Sequence, residues 1–365
     1  MDRRAFLQAS FAALSVPRDS RIRTLGYLAA PSTADEKGVL HGQYPFGHVR
    51  RYGAVGNGLV DDTAAFARAT AAIASVGRGE VTVNAGTYLI DADVDAGKGI
   101  RLPSNCVLRM TSGATLKAKP NALARYGVVW LKDVVNSHVI GGRIKGERVS
   151  YSGRKGEWGM GVWMNSAKGC SVRQTTISDF WGDGVCVCSV DPIAGTECED
   201  ILLDGIHCDN NRRQGVSVVS AKRVRILNSL FTRTLGTPPS AGIDFEPDPG
   251  SAVVEDCVVR NCIFDDNMIG VQFVGPCRNV SVVNNQFRRN RSYGIYMIRD
   301  VRAGVVDSNT VVQADTRTTG IHLEAVNGAR VTNNVIRGTF RHGVSEHRAR
   351  NNHFAGNLIV IDPQR

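Results

Sequence analysis

The chain has 365 residues, 42% of them hydrophobic, with 39 glycines and a formal charge of +10. That is ample for a large core, and one long repeat domain accommodates it as readily as two globular ones. The glycine and asparagine content argues for a turn-rich all-β chain over a helical one. No stretch reaches the ~18–20 apolar residues of a membrane span.

In chain order, Arg3-Arg4 followed by Phe6-Leu7 and an apolar run to Val16 resembles a twin-arginine export signal. Residues 1–25 are therefore expected to direct export to the periplasm or medium, the plain alternative being an N-terminal arm. Residues 26–48 read as a linker or arm, and 49–365 as one domain. Asp61, Asp62 or Thr63 can cap a helix, and Ala65, Phe66, Ala69, Ala72 and Ile73 fall near helical spacing, which predicts a helix over 63–75. Two short strands follow around a glycine turn, Gly79 to Val83 and Gly86 to Ile90.

Beyond residue 160 a Gly-apolar-x-apolar strand recurs, starting at Gly161, Gly184, Gly215, Gly242, Gly270, Gly294, Gly320 and Gly343. The intervals are 23, 31, 27, 28, 24, 26 and 23 residues, an internal period that signals a solenoid. A second repeat keeps step with it: Asn228, Asn261, Asn285, Asn309, Asn334 and Asn357. Asparagine tolerates the left-handed backbone of a sharp turn, and stacked asparagines can form a hydrogen-bonded ladder, so all six read as structural.

Side chains alternate along a strand, so the residues one and three after each glycine face inward and stack. The outward residues two after are Trp163, Cys186, Ser217, Asp244, Gln272, Tyr296, His322 and Ser345; those four after include Glu246, Glu324 and His347. With rungs roughly 4.8 Å apart, this outward stripe is a ruler suited to an extended polymer. The last rung carries Glu346 at an inward position, as a terminal repeat does.

Two constellations on the stripe carry chemistry. Asp244 and Glu246 share one strand face, with Asp248 just past Pro247 and Asp183 two rungs earlier. Paired carboxylates serve glycosidic hydrolysis as acid and base. Asp183 joins them only if the turns bend inward. The plain alternative is that the acids are solvated or paired with Arg212 and Arg213. The same Asp244, Glu246 and Asp248 suit Ca²⁺, the only cofactor considered, ranked below direct catalysis. Further along, Tyr296 and His322 sit on adjacent rungs near Tyr293, Glu324, His342 and His347. A Tyr/His pair can abstract the proton α to a uronate carboxylate and protonate the leaving oxygen, while Arg288, Arg289, Arg291, Arg299 or Arg317 neutralises the carboxylate. The plain alternative is a polar outer face. Trp163, Trp181, Arg213, Gln272, Tyr293, Glu324 and His342 are expected to contact substrate, with Trp158 a further sugar-stacking candidate. Nine scattered cysteines without a Cys-x-x-Cys pair argue against zinc and read mainly as small core residues, a few disulfides being possible.

The run Arg-Tyr-Gly-Ala-Val-Gly-Asn-Gly-Leu-Val-Asp-Asp-Thr from Arg51, with Val-Thr-Val-Asn-Ala-Gly-Thr-Tyr-Leu-Ile from Val81, resembles the N-terminal signature of the pectate-lyase-like superfamily. That superfamily includes polygalacturonase-like enzymes and phage tailspikes. The resemblance implies an all-β, right-handed, single-stranded parallel β-helix with an N-terminal capping helix, and a carbohydrate-active protein whose reaction it does not specify. It also leaves open a homotrimer, common among tailspike-like relatives. Polygalacturonase-like enzymes carry Asn-x-Asp, Asp-Asp, Gly-His-Gly and Arg-Ile-Lys in that order. Here Arg143-Ile144-Lys145 precedes the acids, and Asp265-Asp266 lie before a different strand. The Asp-Pro-His-Asp signature of mannuronan epimerases is absent. The expectation is an exported enzyme that cleaves glycosidic bonds in a polysaccharide, possibly an acidic one, through Asp244 and Glu246. The basic excess suits such a polyanion or serves solubility alone, and neither nucleic acid nor membrane is an expected partner. The alternatives are a uronate lyase or C5-epimerase working through Tyr296 and His322, and a non-catalytic glycan-binding protein.

Overall fold

The computed structural model describes residues 44–189, 195–248 and 253–362. The expected export signal and most of the arm lie outside them. The described chain is a right-handed parallel β-helix of about 11 turns. Three long sheets of 12, 10 and 11 strands, with a smaller one of four, run its length. Each turn visits the long sheets in a fixed order; one coil uses Ser171–Arg173, then Thr176–Ser178, then Val185–Cys188. The helix Thr63–Ser75 closes the N-terminal end and buries Phe66, Ala69 and Ile73. Asp62 is its N-cap residue, but the carboxylate accepts instead from the backbone N–H groups of Val55 (2.6 Å) and Gly56 (3.2 Å). The two short strands are Gly79–Val83 and Gly86–Ile90.

The recurring glycines open or lie just inside the strands of the 10-stranded sheet, in register: Val162 pairs with Val185, Val216 with Ile243, Ile295 with Ile321. Their reason is steric. A Cβ on Gly242 would sit 2.7 Å from a Phe264 ring carbon and 2.8 Å from the Gly270 carbonyl oxygen. The glycine thus lets each coil fold over the aromatic row of the adjacent sheet, where Phe231, Phe264 and Phe287 stack with centroids 5.0 and 4.7 Å apart. Inward residues of the glycine strands, among them Ile243, Phe245, Val271 and Phe273, are fully buried. Each such side chain stabilises the fold by about 1.5–3 kcal/mol relative to exposure.

The six asparagines do not form one ladder. Asn228 and Asn261 are left-handed turn residues (φ 51° and 57°), continued by Asn284 (φ 55°) and Asn333 (φ 55°). Asn285, Asn309, Asn334 and Asn357 sit one position further along and form an inner ladder. The Asn309 Oδ1 accepts from both the backbone N–H and the side-chain amide of Asn285, each at 3.0 Å. Two adjacent rows of one residue type explain the split, since the pattern Asn284-Asn285 and Asn333-Asn334 offers either register. All nine cysteines are free thiols, so no disulfide forms.

Candidate functional site

The outward row is continuous. Trp163, Cys186, Ser217, Asp244, Gln272, Tyr296, His322 and Ser345 pair residue to residue across successive rungs. It is not, however, an open groove along its length. Relative exposure is 8% at Trp163, 5% at Cys186, 3% at Ser217, 1% at Asp244 and 6% at Gln272. Only from Tyr296 onward is the row partly exposed.

The buried centre is a charge network around Arg213. Its Nη1 donates to the Asp183 carboxylate at 3.0 Å, and the Ser217 hydroxyl donates to the same oxygen. Glu246 and Glu157 flank the guanidinium at 4.0 and 3.8 Å, both about half exposed. Asp244 is held by two amides: Gln214 Nε2 donates to one oxygen (2.9 Å) and Gln272 Nε2 to the other (3.1 Å). Gln214 is fixed in this orientation because its carbonyl accepts from the Ala241 backbone N–H at 2.7 Å. Burial pushes Asp244 well above the usual carboxylate range; Glu246 repulsion adds to this, while Arg213 and the Gln272 bond oppose it. Burial also raises Asp183, against the pull of Arg213 and Ser217. Chiefly the Asp183 charge raises Arg213.

Asp183 does join the acidic group, contrary to its ideal lattice position, because in two successive coils the residue before the glycine reaches forward to the outward residue of the next rung. Asp183 meets Ser217 as Gln214 meets Asp244. Gln214 is a site residue that the outward-stripe pattern missed; the signal was its place immediately before Gly215, matching Asp183 before Gly184. Asp183 (0% exposed) and Asp244 (1%) lie beneath the surface, and only Glu246 of the three expected catalytic acids is presented to solvent. Among the described residues no group of three or more Asp, Glu, His or Cys side chains is placed to hold a metal ion.

The open end is built differently. Tyr293 and Tyr296 stack at 4.3 Å between centroids, and His322 lies 5.6 and 5.3 Å from them at a tilt. His322 Nδ1 shares a 2.6 Å hydrogen bond with the Ser345 hydroxyl, which fixes the ring, and Nε2 faces the Glu324 carboxylate at 3.8 Å. Burial lowers the His322 pKa below the ordinary histidine value, with Glu324 opposing, and burial raises Tyr296. His342 and His347 are exposed close by. Exposed Arg299 acts electrostatically on Tyr296. Its neighbours in sequence are engaged: Arg289 with Asp265, Arg291 with Asp266, Arg317 with Asp315.

The other expected substrate contacts divide. Trp163 is packed with Val94, Met160 and Cys186 and stacked on Trp130, so it presents no free face. Trp181 is occupied on its faces by Tyr151 (4.0 Å) and the Arg212 guanidinium (3.9 Å). Arg213 and Gln272 serve the buried acids. Tyr293, Glu324 and His342 remain accessible, as does Trp158.

Comparison with known proteins agrees with this architecture. An uncharacterised Bacillus subtilis protein, YclG, is 26% identical over 214 residues, 53% of this chain but 37% of the relative, so the match spans well under half of that protein. The A-module of the Azotobacter vinelandii mannuronan C-5 epimerase AlgE4 superposes with a TM-score of 0.61 at 16% identity, covering 87% of this chain and 97% of the module. The Dettilon tailspike protein superposes with a TM-score of 0.64 at 16% identity, covering 86% of this chain and 62% of the tailspike. Identities this low establish the fold alone. The right handed beta helix region family matches residues 135–309 and 258–359, more than half of the sequence, and the chain belongs to that family.

Proposed function

We propose that this protein acts on a uronate-containing polysaccharide by proton abstraction, as a lyase or C5-epimerase, with Tyr296 and His322 as the acid–base pair. The observation that carries this reading is the contrast in access along one row: the acids at its centre are buried, whereas Tyr296 and His322 are partly exposed. His322, with its pKa below the ordinary value, is neutral near pH 7 and fit to take a proton. Its orientation is set by Ser345. Arg299 supplies positive charge for the substrate carboxylate. The net charge of +10 favours a polyanion, and the fold shared with a mannuronan epimerase fits the same substrate class.

A second reading has its own support. Burial pushes the Asp244 carboxyl well above the usual carboxylate range while Glu246 stands half exposed on the same strand face, and carboxyls whose environments differ in this way are the usual arrangement for an acid and a base. Glycosidic hydrolysis would then require Gln272 and Arg213 to move aside. The deciding experiment incubates the protein with polymannuronate or polygalacturonate in D₂O. Either deuterium at C5, which marks epimerisation, or unsaturated non-reducing ends, which mark β-elimination, is the expected outcome. New reducing ends with neither deuterium nor unsaturation would replace the proposal with the hydrolase, and binding without any product would make the protein a glycan-binding spike or adhesin.

A further inference from the structure

Seven of the nine cysteines are buried away from the outward row, whereas Cys186 and Cys188 both point outward from the strand Val185–Cys188. Two positions apart on one strand, they share a face with Cα atoms about 6.5–7 Å apart. That lies at the upper limit for a disulfide, and parallel side chains disfavour one. Cys188 packs against the cluster that holds Cys186, and its sulfur lies 3.5 Å from the Met164 carbonyl oxygen. The Trp163 indole N–H also donates to the Cys188 sulfur at 3.2 Å, a contact that favours thiolate. Around them stand Met160, Trp163 and Val94, an apolar shell with a thioether.

We infer that Cys186 and Cys188 form a two-thiolate binding site for a soft monovalent cation, Cu(I) in class. The donor set decides the class. Thiolate in an apolar, sulfur-rich shell selects soft ions over Ca²⁺ or Mg²⁺. Zinc requires four ligands, and among the described residues no third Cys, His, Asp or Glu joins the pair. A closed-shell monovalent ion is satisfied by two sulfurs. Binding forms two S–Cu bonds and releases to solvent whatever protons the two thiols carry. No electron moves, and copper stays monovalent. The product is an anionic bis-thiolate, and the nearby cation that offsets it is Arg213, which acts electrostatically on Cys186.

The test is anaerobic titration of the full chain with Cu(I) against a chromophoric Cu(I) chelator. One equivalent retained by the wild type, and lost in both Cys186→Ser and Cys188→Ser with unchanged circular dichroism, is expected. Wild type that surrenders all its copper, or a Cys188→Ser variant that keeps it, overturns the site. X-ray absorption on the copper-loaded wild type decides the matter even if a variant misfolds: two sulfur neighbours support the inference, and nitrogen or oxygen neighbours refute it.

Discussion

Two regions of one outward row, three rungs apart, use ionisable groups in opposite ways. Around Arg213, two carboxylates are sunk to 0% and 1% exposure, Asp183 bonded by Ser217 and Asp244 by Gln214 and Gln272. Around His322 the row is partly exposed, and the ring is held by Ser345 and faces Glu324 beside the stacked Tyr293 and Tyr296. Burying charge is costly even when it is paired, and such networks more often fix a structure than stabilise it. The lesson is that register places a residue on a face, but neighbouring side chains decide whether that face is a site or an outer core.

The largest expected effect separates the two regions by activity. On a uronate polymer, His322→Ala should reduce turnover by about 10²–10⁴-fold, the usual contribution of general acid–base catalysis. Asp244→Asn should leave most of it. Because burial lowers the His322 pKa, the acid limb of the pH–rate profile should fall below about 6.5, the ordinary histidine value. Steady-state rates of the two variants across pH check both points; the reverse ranking would move the chemistry to the acids.

Next in size, Arg213→Ala should destabilise the fold by roughly 3–5 kcal/mol, since it strands Asp183 and Asp244 without their cation. Urea denaturation reads this directly. A change under 1 kcal/mol would mean that the buried acids are already neutral and the network is not ionic.

A third group sharpens the contrast on the flank of the buried region. The Tyr126 hydroxyl donates to Glu147, both are buried, and the second Glu147 oxygen has no partner. Burial pushes Glu147 up to about 7, above its ordinary 4.5. Between those values the folded state holds the proton that the unfolded state has lost. Stability should therefore fall as pH rises through that window and level off above it, by about 3 kcal/mol at 1.36 kcal/mol per pH unit. Thermal melts at pH 5 and 8 should show the drop, and Glu147→Gln should flatten it.

Much of this is legible in the sequence. The glycine interval located the inward and outward rows to the residue because a coil's closest approach demands glycine at one fixed place. The capping helix followed from Ala65, Phe66, Ala69 and Ile73. What could not be read was depth. Asp244 and Tyr296 occupy the same offset two rungs apart, yet Gln214, reaching forward from the previous coil, bonds the first, whereas the second stacks on Tyr293 and stays partly exposed. Trp163 and Trp181 failed as sugar platforms for a related reason: their faces are filled by Trp130, Tyr151 and Arg212, partners brought from other coils. The asparagine ladder was misread by one position because neighbouring asparagines satisfy either register.

That ladder gives the smallest and most discriminating test. Asn309 lies in the chain between Tyr296 and His322, inside the coil beneath the open face. Its Oδ1 serves Asn285 twice, and its own amide donates to the Val282 carbonyl (2.8 Å) and to Asn334 (2.9 Å). Asn309→Ala leaves the Asn285 amide groups and the Val282 carbonyl buried with fewer partners, which should cost about 1–3 kcal/mol. It touches neither Tyr296 nor His322, which are held by ring stacking and Ser345. Stability should therefore fall in urea while turnover per folded molecule stays near wild type. Were turnover to collapse at unchanged circular dichroism, the open end would depend on coil spacing, and the division into a rigid acidic centre and an independently working Tyr–His end would have to be abandoned.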